Sequence, residues 1–305
     1  MGCNFCRKKG YQTINYLAPE EKEIKIKDYS SEKDKNLEIF ETKLNFFNFV
    51  QLVEYVNLLE EFTMETSTIV TDEPMRINFS NKDRFLNQHM SLEEFQSFIE
   101  NKIFNLEDIN EILANNEKNA EIFKKICTEI YKALELKLNE SYINKRNLIA
   151  IGILFCNCEN IEKIKLIFDI FKKEKENENE KGKENINKNE NEKENENENE
   201  KEIYKDDKLD TFLLTLFLLS SYCLISARQN INYPELGIEK ISEEDIIMLE
   251  LEDCQNLVKL FNESFFKSES YNWAQFRKKF EDEDNGFGWI ISSKGIRRKL
   301  EENKK

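Results

Sequence analysis

Proline and glycine are nearly missing from this chain. Its 305 residues include three prolines and eight glycines. Those residues punctuate short strands and tight turns, so their scarcity excludes many-stranded architectures and favours long helices. Histidine is scarcer still. A single His89 rules out metal centres built from several imidazoles. No GxxxxGK[ST] phosphate loop, GxGxxG, GxSxG elbow or HExxH helix is present, and the chain is expected to be non-enzymatic. Positive charge is outnumbered, with 45 Lys and Arg against 60 Asp and Glu for a net −15. No domain-wide positive surface is available for duplex nucleic acid, so none is expected as a partner. The first 30 residues lack the apolar core of a secretory signal, and seven cysteines without one point to a reducing compartment.

What is abundant is Leu, Ile, Phe, Glu, Asn and Lys, with 39% hydrophobic residues, enough for one large or two small cores. From Leu37 the apolar pattern is helical: Phe40, Leu44, Phe47, Val50, Val53 and Leu58 recur at spacings of three to five. The pattern lapses between Thr66 and Asn81, where Pro74 marks a loop. It restarts at a capping box formed by Ser91 and Glu94. Further helical stretches follow through "NLEDINEIL", "NAEIFKKICTEIYKALELKL" and "NKRNLIAIGILFC", then over Asp206 to Ala227, Ser242 to Phe266 and Trp273 to Phe280. No strand of any length is expected. The uncharged run of residues 211–227, "TFLLTLFLLSSYCLISA", is at the short limit for spanning a bilayer and carries five serines and threonines, so it reads as a buried helix. His89, ahead of a helix start, reads as a surface or capping residue. Cys156 and Cys158, in an apolar helix end, read as structural thiols.

The ends and the middle of the chain differ from this helical body. "MGCNFCRKKG" places a glycine behind the initiator methionine, two cysteines beside it, and three cations in a row. Gly2 fits an N-myristoyl acceptor, although Cys6 stands where Ser or Thr is preferred. Cys3 and Cys6 are placed for palmitate, and Arg7, Lys8 and Lys9 for anionic headgroups. A zinc site on Cys3 and Cys6 would need a second ligand pair, and Cys156-x-Cys158 has the wrong spacing. Around residues 172–205 the composition collapses to Glu, Asn and Lys, which cannot bury enough surface to offset ordering entropy and should form a solvated, disordered insert.

The stretch from Asn147 to Phe280 resembles the EF-hand superfamily, most closely the myristoylated neuronal calcium sensor type. "NLIAIGILFCNCENIEKIKLIFDIF" is similar to an exiting helix, a linker and the next entering helix. "KLDTFLLTLFLLSSYCL" resembles that hand's exiting helix, and "CQNLVKLFNESFFKSESYNWAQFRKKF" a further hand. The resemblance implies helix–loop–helix architecture but not calcium binding. An EF-hand loop supplies oxygens from positions 1, 3, 5, 7 and 9, a glycine at 6 and a glutamate at 12. Counted after "FDIF", Lys172 falls at position 1, with Glu174 at 3, Glu176 at 5 and Asn177 at 6. In the later hand Lys267, Glu269, Tyr271 and Asn272 stand where an acidic loop belongs. The remaining metal candidate is "EDEDNGFGW", with Glu281, Glu283, Asn285 and Gly286 at positions 1, 3, 5 and 6, but Ser292 at 12.

The expected fold is therefore mainly α, an EF-hand-like helical domain with a long low-complexity insert and an acylated N-terminus. Residues 1–35 form the membrane-anchoring tail, 36–138 an N-terminal helical region, and 139–171 with 206–303 the EF-hand-like domain. The helices from Leu37 to Leu138 are either further hands or an unrelated cap. Two functions remain open at this point. One is a membrane-tethered adaptor that takes a partner helix into an apolar groove and needs no cofactor. The other is a calcium sensor with one weak site in its C-terminal half. A helical repeat protein with a spacer is a lesser third.

Overall fold

The computed structural model describes residues 24, 45–107, 109–110, 117–174, 201–228, 251–267, 270–282 and 286–303, apart from 65–84. It is mainly helical. A 3₁₀ turn over Asn45–Phe49 leads into α1 (Leu52–Met64), and β1 (His89–Met90) into α2 (Leu92–Phe98), which continues as one π turn over Ile99–Ile103. Next come α3 (Glu117–Leu138), β2 (Ile143–Asn144), α4 (Lys145–Phe155) and α5 (Asn160–Phe171). Strands β3 (Lys172–Glu174) and β4 (Lys201–Tyr204) precede α6 (Asp207–Arg228) and α7 (Leu251–Phe265). The described chain closes with β5 (Ser270–Asn272), α8 (Trp273–Lys278), a 3₁₀ turn over Gly288–Ile291 and α9 (Ser293–Asn303).

The helix boundaries follow local chemistry. Ser91 and Glu94 form the expected capping box, the Glu94 amide donating to Ser91 Oγ at 3.2 Å and the Ser91 amide to Glu94 Oε2 at 2.7 Å. This satisfies two of the donors a helix start leaves open. Asn144 caps α4 by accepting from the Arg146 amide. Asn272 and Gln275 form a second capping box on α8. Helix α3 ends at Asn139, which has φ 54°, and the Glu140 amide donates back to the Glu135 carbonyl at 3.1 Å. That is the left-handed closure for which Asn is the best residue after glycine.

Two expectations are corrected. The helix expected to run on from Leu37 is interrupted at Val50 and Gln51. There the Asn157 amide donates to the Val50 carbonyl at 2.9 Å and the Leu52 amide to the Asn157 carbonyl at 3.1 Å. The break resets the helical register, so α1 buries Leu52, Tyr55, Val56 and Leu59, while Val53 is half exposed. The second correction is the five short strands among the described residues, where none was expected. Each has two to four residues, too few for an alternating pattern to be legible. β1 and β2 pair antiparallel, and β3, β4 and β5 form a three-stranded antiparallel sheet. Strands β3 and β4 lie at the two edges of residues 172–205, so the ends of the expected insert are paired, Glu174 opposite Lys201. Lys173 meets Asp206 at 2.9 Å beside this pair.

Helix α6 is the hub. It packs on α3 and α4 on one side and on α7 and α9 on the other. The run from Thr215 to Ser221 is buried throughout, in keeping with the expected buried helix. Its hydroxyls return to the helix backbone, Thr215 Oγ1 to Thr211 O at 2.8 Å and Ser220 Oγ to Leu216 O at 2.9 Å, so no polar group is stranded. Among the described residues, no helix is long and apolar enough to cross a membrane. Aromatic rings fill both halves of the core, with Phe47, Tyr55, Phe98 and Phe123 in one and Phe261, Phe265, Phe276 and Phe280 in the other. Gly152 on α4 lets α1 approach closely, since a Cβ there would lie 2.6 Å from Tyr55 Cδ1.

Candidate functional site

The residues with the most distinctive chemistry lie where β1 meets β2. Met90 faces Ile143 and His89 faces Asn144 across this pair. Tyr131, fully buried on α3, sets its hydroxyl between the two strands. It donates to the Met90 carbonyl and accepts from the Ile143 amide at 3.1 Å, while its ring stacks on Phe95 at 5.3 Å. Burial pushes the phenol up to about 12. The Lys145 amide completes the junction by donating to the Gln88 carbonyl at 2.8 Å. One phenol thus adds to the pairing of the two strands and ties both to a helix.

Two cations follow immediately, at the N-terminus of α4, and both are buried. Lys145 is 3% exposed and Arg146 6%. Lys145 Nζ donates to the Leu59 carbonyl at 3.4 Å and lies 5.9 Å from the Phe85 ring centre. Burial pulls its ammonium down to about 8, against the attraction of the Glu94 and Glu60 carboxylates. Arg146 Nη2 donates to Asn87 Oδ1 at 3.1 Å, and its guanidinium lies 5.8 Å from the Phe171 ring of α5. Each cation therefore leaves its own loop and contacts the segment around β1. Glu140 is held above the ordinary carboxylate range by burial, opposed by His89 of β1.

The second sheet is arranged similarly, with Ile203 opposite Tyr271. Tyr271 donates its hydroxyl to the Phe265 carbonyl at 2.6 Å. Lys172, at the exit of α5, pairs with Asp169 at 2.6 Å. Helices α6 and α7 are joined by Asn262 Nδ2 donating to Asp210 Oδ1 at 2.7 Å. Beside α7 a cavity of about 550 Å³ opens over Leu257, Leu260, Phe261, Phe287 and Trp289, with Lys299 of α9 at its rim.

The residues singled out from the sequence fare differently. Gly2, Cys3, Cys6, Arg7, Lys8 and Lys9 lie outside the described residues, as do Glu283 and Asn285. Glu281 is described, and its Oε1 meets Arg277 Nε at 3.4 Å. The Gly286 amide donates to the Asp282 carbonyl at 2.8 Å, and a Cβ on Gly286 would fall 2.1 Å from that oxygen. Only glycine closes this turn. Among the described residues no cluster of three or more His, Cys, Asp or Glu side chains is placed to hold a metal ion. Cys156 is buried and its thiol is pushed well up by burial; Cys158 is pushed up to about 11 by the same cause. His89 is exposed on β1.

Lys145, Arg146, Tyr131 and Asn87 were not singled out from the sequence. One signal for the first two was available. Adjacent cations at a helix N-terminus oppose the helix dipole, and "NKRNLIAIGILF" places them at the head of an otherwise apolar helix. No protein-family model, curated protein or solved structure matches this chain.

Proposed function

We propose that this chain is a non-enzymatic, EF-hand-like adaptor, tethered to a membrane through its N-terminal segment and binding a partner helix in an apolar groove. One observation carries the architectural part. Two short antiparallel pairings, β1 with β2 and β4 with β5, each join the loops of two successive helix–loop–helix units. The β1–β2 pair extends the EF-hand reading to the first half of the chain, favouring further hands over an unrelated helical cap.

The same pairing supplies a register, because the apolar residues facing each other occupy position 8 of an EF-hand loop. Met90 at 8 puts Asp83 at 1, Phe85 at 3, Asn87 at 5, Gln88 at 6, Ser91 at 9 and Glu94 at 12. In this loop a phenylalanine stands at 3 and no glycine at 6. Ile143 at 8 places positions 1 and 3 on Leu136 and Leu138, inside helix α3, and Asn147 at 12. Tyr271 at 8 gives Ser264, Phe266 and Ser268 at 1, 3 and 5 and Gln275 at 12. Ile203 at 8 puts Glu196, Glu198 and Glu200 at 1, 3 and 5, but Lys201 stands at 6 where a glycine belongs and Asp207 at 12 where the longer glutamate is needed. No loop combines carboxylates at 1, 3 and 5 with a glutamate at 12, so these residues do not fit calcium, and the adaptor reading is preferred to the sensor.

The groove is the cavity between α7 and α9. Its floor of Leu257, Phe261, Phe287 and Trp289, with Leu260 44% exposed at its edge, suits the apolar anchors of an amphipathic helix. The test uses the full chain in its native membrane fraction. Gly2→Ala should release it to the soluble fraction, since one acyl chain is the first of two anchoring signals. Leu260→Asp should abolish partner recovery, whereas Val53→Asp, at a half-exposed position on α1, should not. Wild type that pellets no better than Gly2→Ala, or equal recovery by both aspartate variants, refutes the proposal.

A further inference from the structure

The misfit of the first loop pair to calcium has a specific form. Two of the oxygen-bearing groups that a metal would gather from the first loop, Asn87 and Glu94, already face positive charge, and that charge comes from the second loop. At position 5, Asn87 Oδ1 accepts from the Arg146 guanidinium at 3.1 Å. At position 12, the Glu94 carboxylate attracts the Lys145 ammonium. At position 3, where a carboxylate would complete a cage, Phe85 presents its ring to that same ammonium at 5.9 Å, an arrangement in which the ring face attracts a cation. Both cations are nearly inaccessible to solvent, and burying such charge is costly unless it is compensated. Backbone geometry fixes the delivery. Lys145 and Arg146 directly follow β2, and the Lys145 amide is bonded to the Gln88 carbonyl of the first loop. Both side chains are therefore carried across the strand pair.

We propose that Lys145 and Arg146 are built-in counter-ions of the first loop pair, supplied by the second loop to the oxygens of the first in place of a bound divalent cation. The proposal rests on the EF-hand reading of these loops. Its consequence is a pair that stays assembled whatever the calcium concentration, so that this half of the molecule is a permanently set platform. Arg146 also reaches Phe171 at the end of α5, which couples the set state of the first pair to the helix entering the third loop.

Backbone hydrogen exchange of the full chain, read on peptides covering His89–Met90 and Ile143–Lys145, tests this directly. Wild type should show the same protection in chelator and in millimolar calcium. Arg146→Gln, which keeps a donor but removes the charge, should exchange at least tenfold faster at these peptides. Arg146→Lys should recover part of the loss, and Lys145→Met with Arg146→Gln should lose more than either alone. Global unfolding, followed separately by a thermal melt, distinguishes local opening from a chain that does not fold. Wild-type exchange in Arg146→Gln, or wild-type protection that rises with calcium, overturns the counter-ion assignment. The loop reading is judged independently by a His89→Cys, Asn144→Cys pair, which directly opposed strand residues should join as a disulfide mapped by mass spectrometry. Failure to cross-link overturns the strand pairing itself. Cross-linking with unaltered exchange in Arg146→Gln overturns only the counter-ions.

Discussion

Tyr131→Phe removes one oxygen atom from the junction of the first strand pair and should destabilise the protein well beyond an ordinary surface hydroxyl. The ring keeps its place against Phe95, so the substitution isolates the hydroxyl. That hydroxyl serves two backbone groups at once, the Met90 carbonyl and the Ile143 amide, and Met90, Ile143 and Tyr131 are all buried. An intramolecular hydrogen bond contributes about 0.5–1.5 kcal/mol. Both backbone groups also belong to the β1–β2 pairing, so the loss is that of two buried hydroxyl bonds, about 2 kcal/mol. For an ordered body of this size that corresponds to roughly 4–8 °C in the melting midpoint. The assay is a pair of urea and thermal melts by circular dichroism, with Tyr55→Phe as the comparison. Tyr55 donates to a single carbonyl, Leu148 O at 3.0 Å, and its loss should cost about 1 kcal/mol. The m-value should not change, because the same surface is exposed on unfolding. If Tyr131→Phe costs no more than Tyr55→Phe, the hydroxyl does not bridge the strands.

Replacing residues 175–200 by Asn-Gly should leave the melting midpoint within a few degrees, since Glu174 and Lys201 are already opposite each other and a two-residue turn closes such a hairpin; a large loss of helical signal would show that the insert is structural. Gly152→Ala should cost about 1–3 kcal/mol by forcing Tyr55 and Leu52 away from α4, measured in the same urea melts. Lys145 predicts a pH dependence. Its folded value near 8 lies below the unfolded one of about 10.4, so the unfolded chain holds more protons between them and stability rises with pH across that window. Burial pushes Cys127 and Tyr131 the other way, so the quantity to measure is the difference between wild type and Lys145→Met, which should grow in favour of wild type by on the order of 2 kcal/mol from pH 8 to pH 10.5.

Much of the helical framework could be read from the sequence because its signals are local. The capping box at Ser91 and Glu94 and the buried run within α6 depend on residues within a few positions of each other. The break at Val50 and Gln51 was not legible, because its cause is Asn157, a residue distant in sequence that bonds on both sides of Gln51. Strand pairs of two residues leave no periodicity, so Met90 opposite Ile143 and Ile203 opposite Tyr271 emerge only in three dimensions. The loop register followed from that pairing. Without it, nothing in the sequence marks Asp83 as a loop start, and only the capping box at Ser91 and Glu94 stands out there. The cations at Lys145 and Arg146 were visible but looked like the start of a helix. Their meaning depends on Asn87 and Glu94 lying across the strand pair.

The central claim is that this is a calcium-independent EF-hand-like body, and calorimetric titration of the full chain with calcium at physiological salt tests it most directly. Calcium sensor loops bind at about 10⁻⁷ to 10⁻⁵ M because several carboxylates converge in one preformed loop, and none of the loops here combines carboxylates at 1, 3 and 5 with a glycine at 6 and a glutamate at 12. The account predicts no site tighter than about 10⁻⁴ M, with residual binding to the Glu- and Asn-rich insert weak, salt-screened and shared with magnesium. A micromolar site that disappears on Glu94→Gln, or on Glu281→Gln with Glu283→Gln, would contradict it and make the protein a calcium sensor.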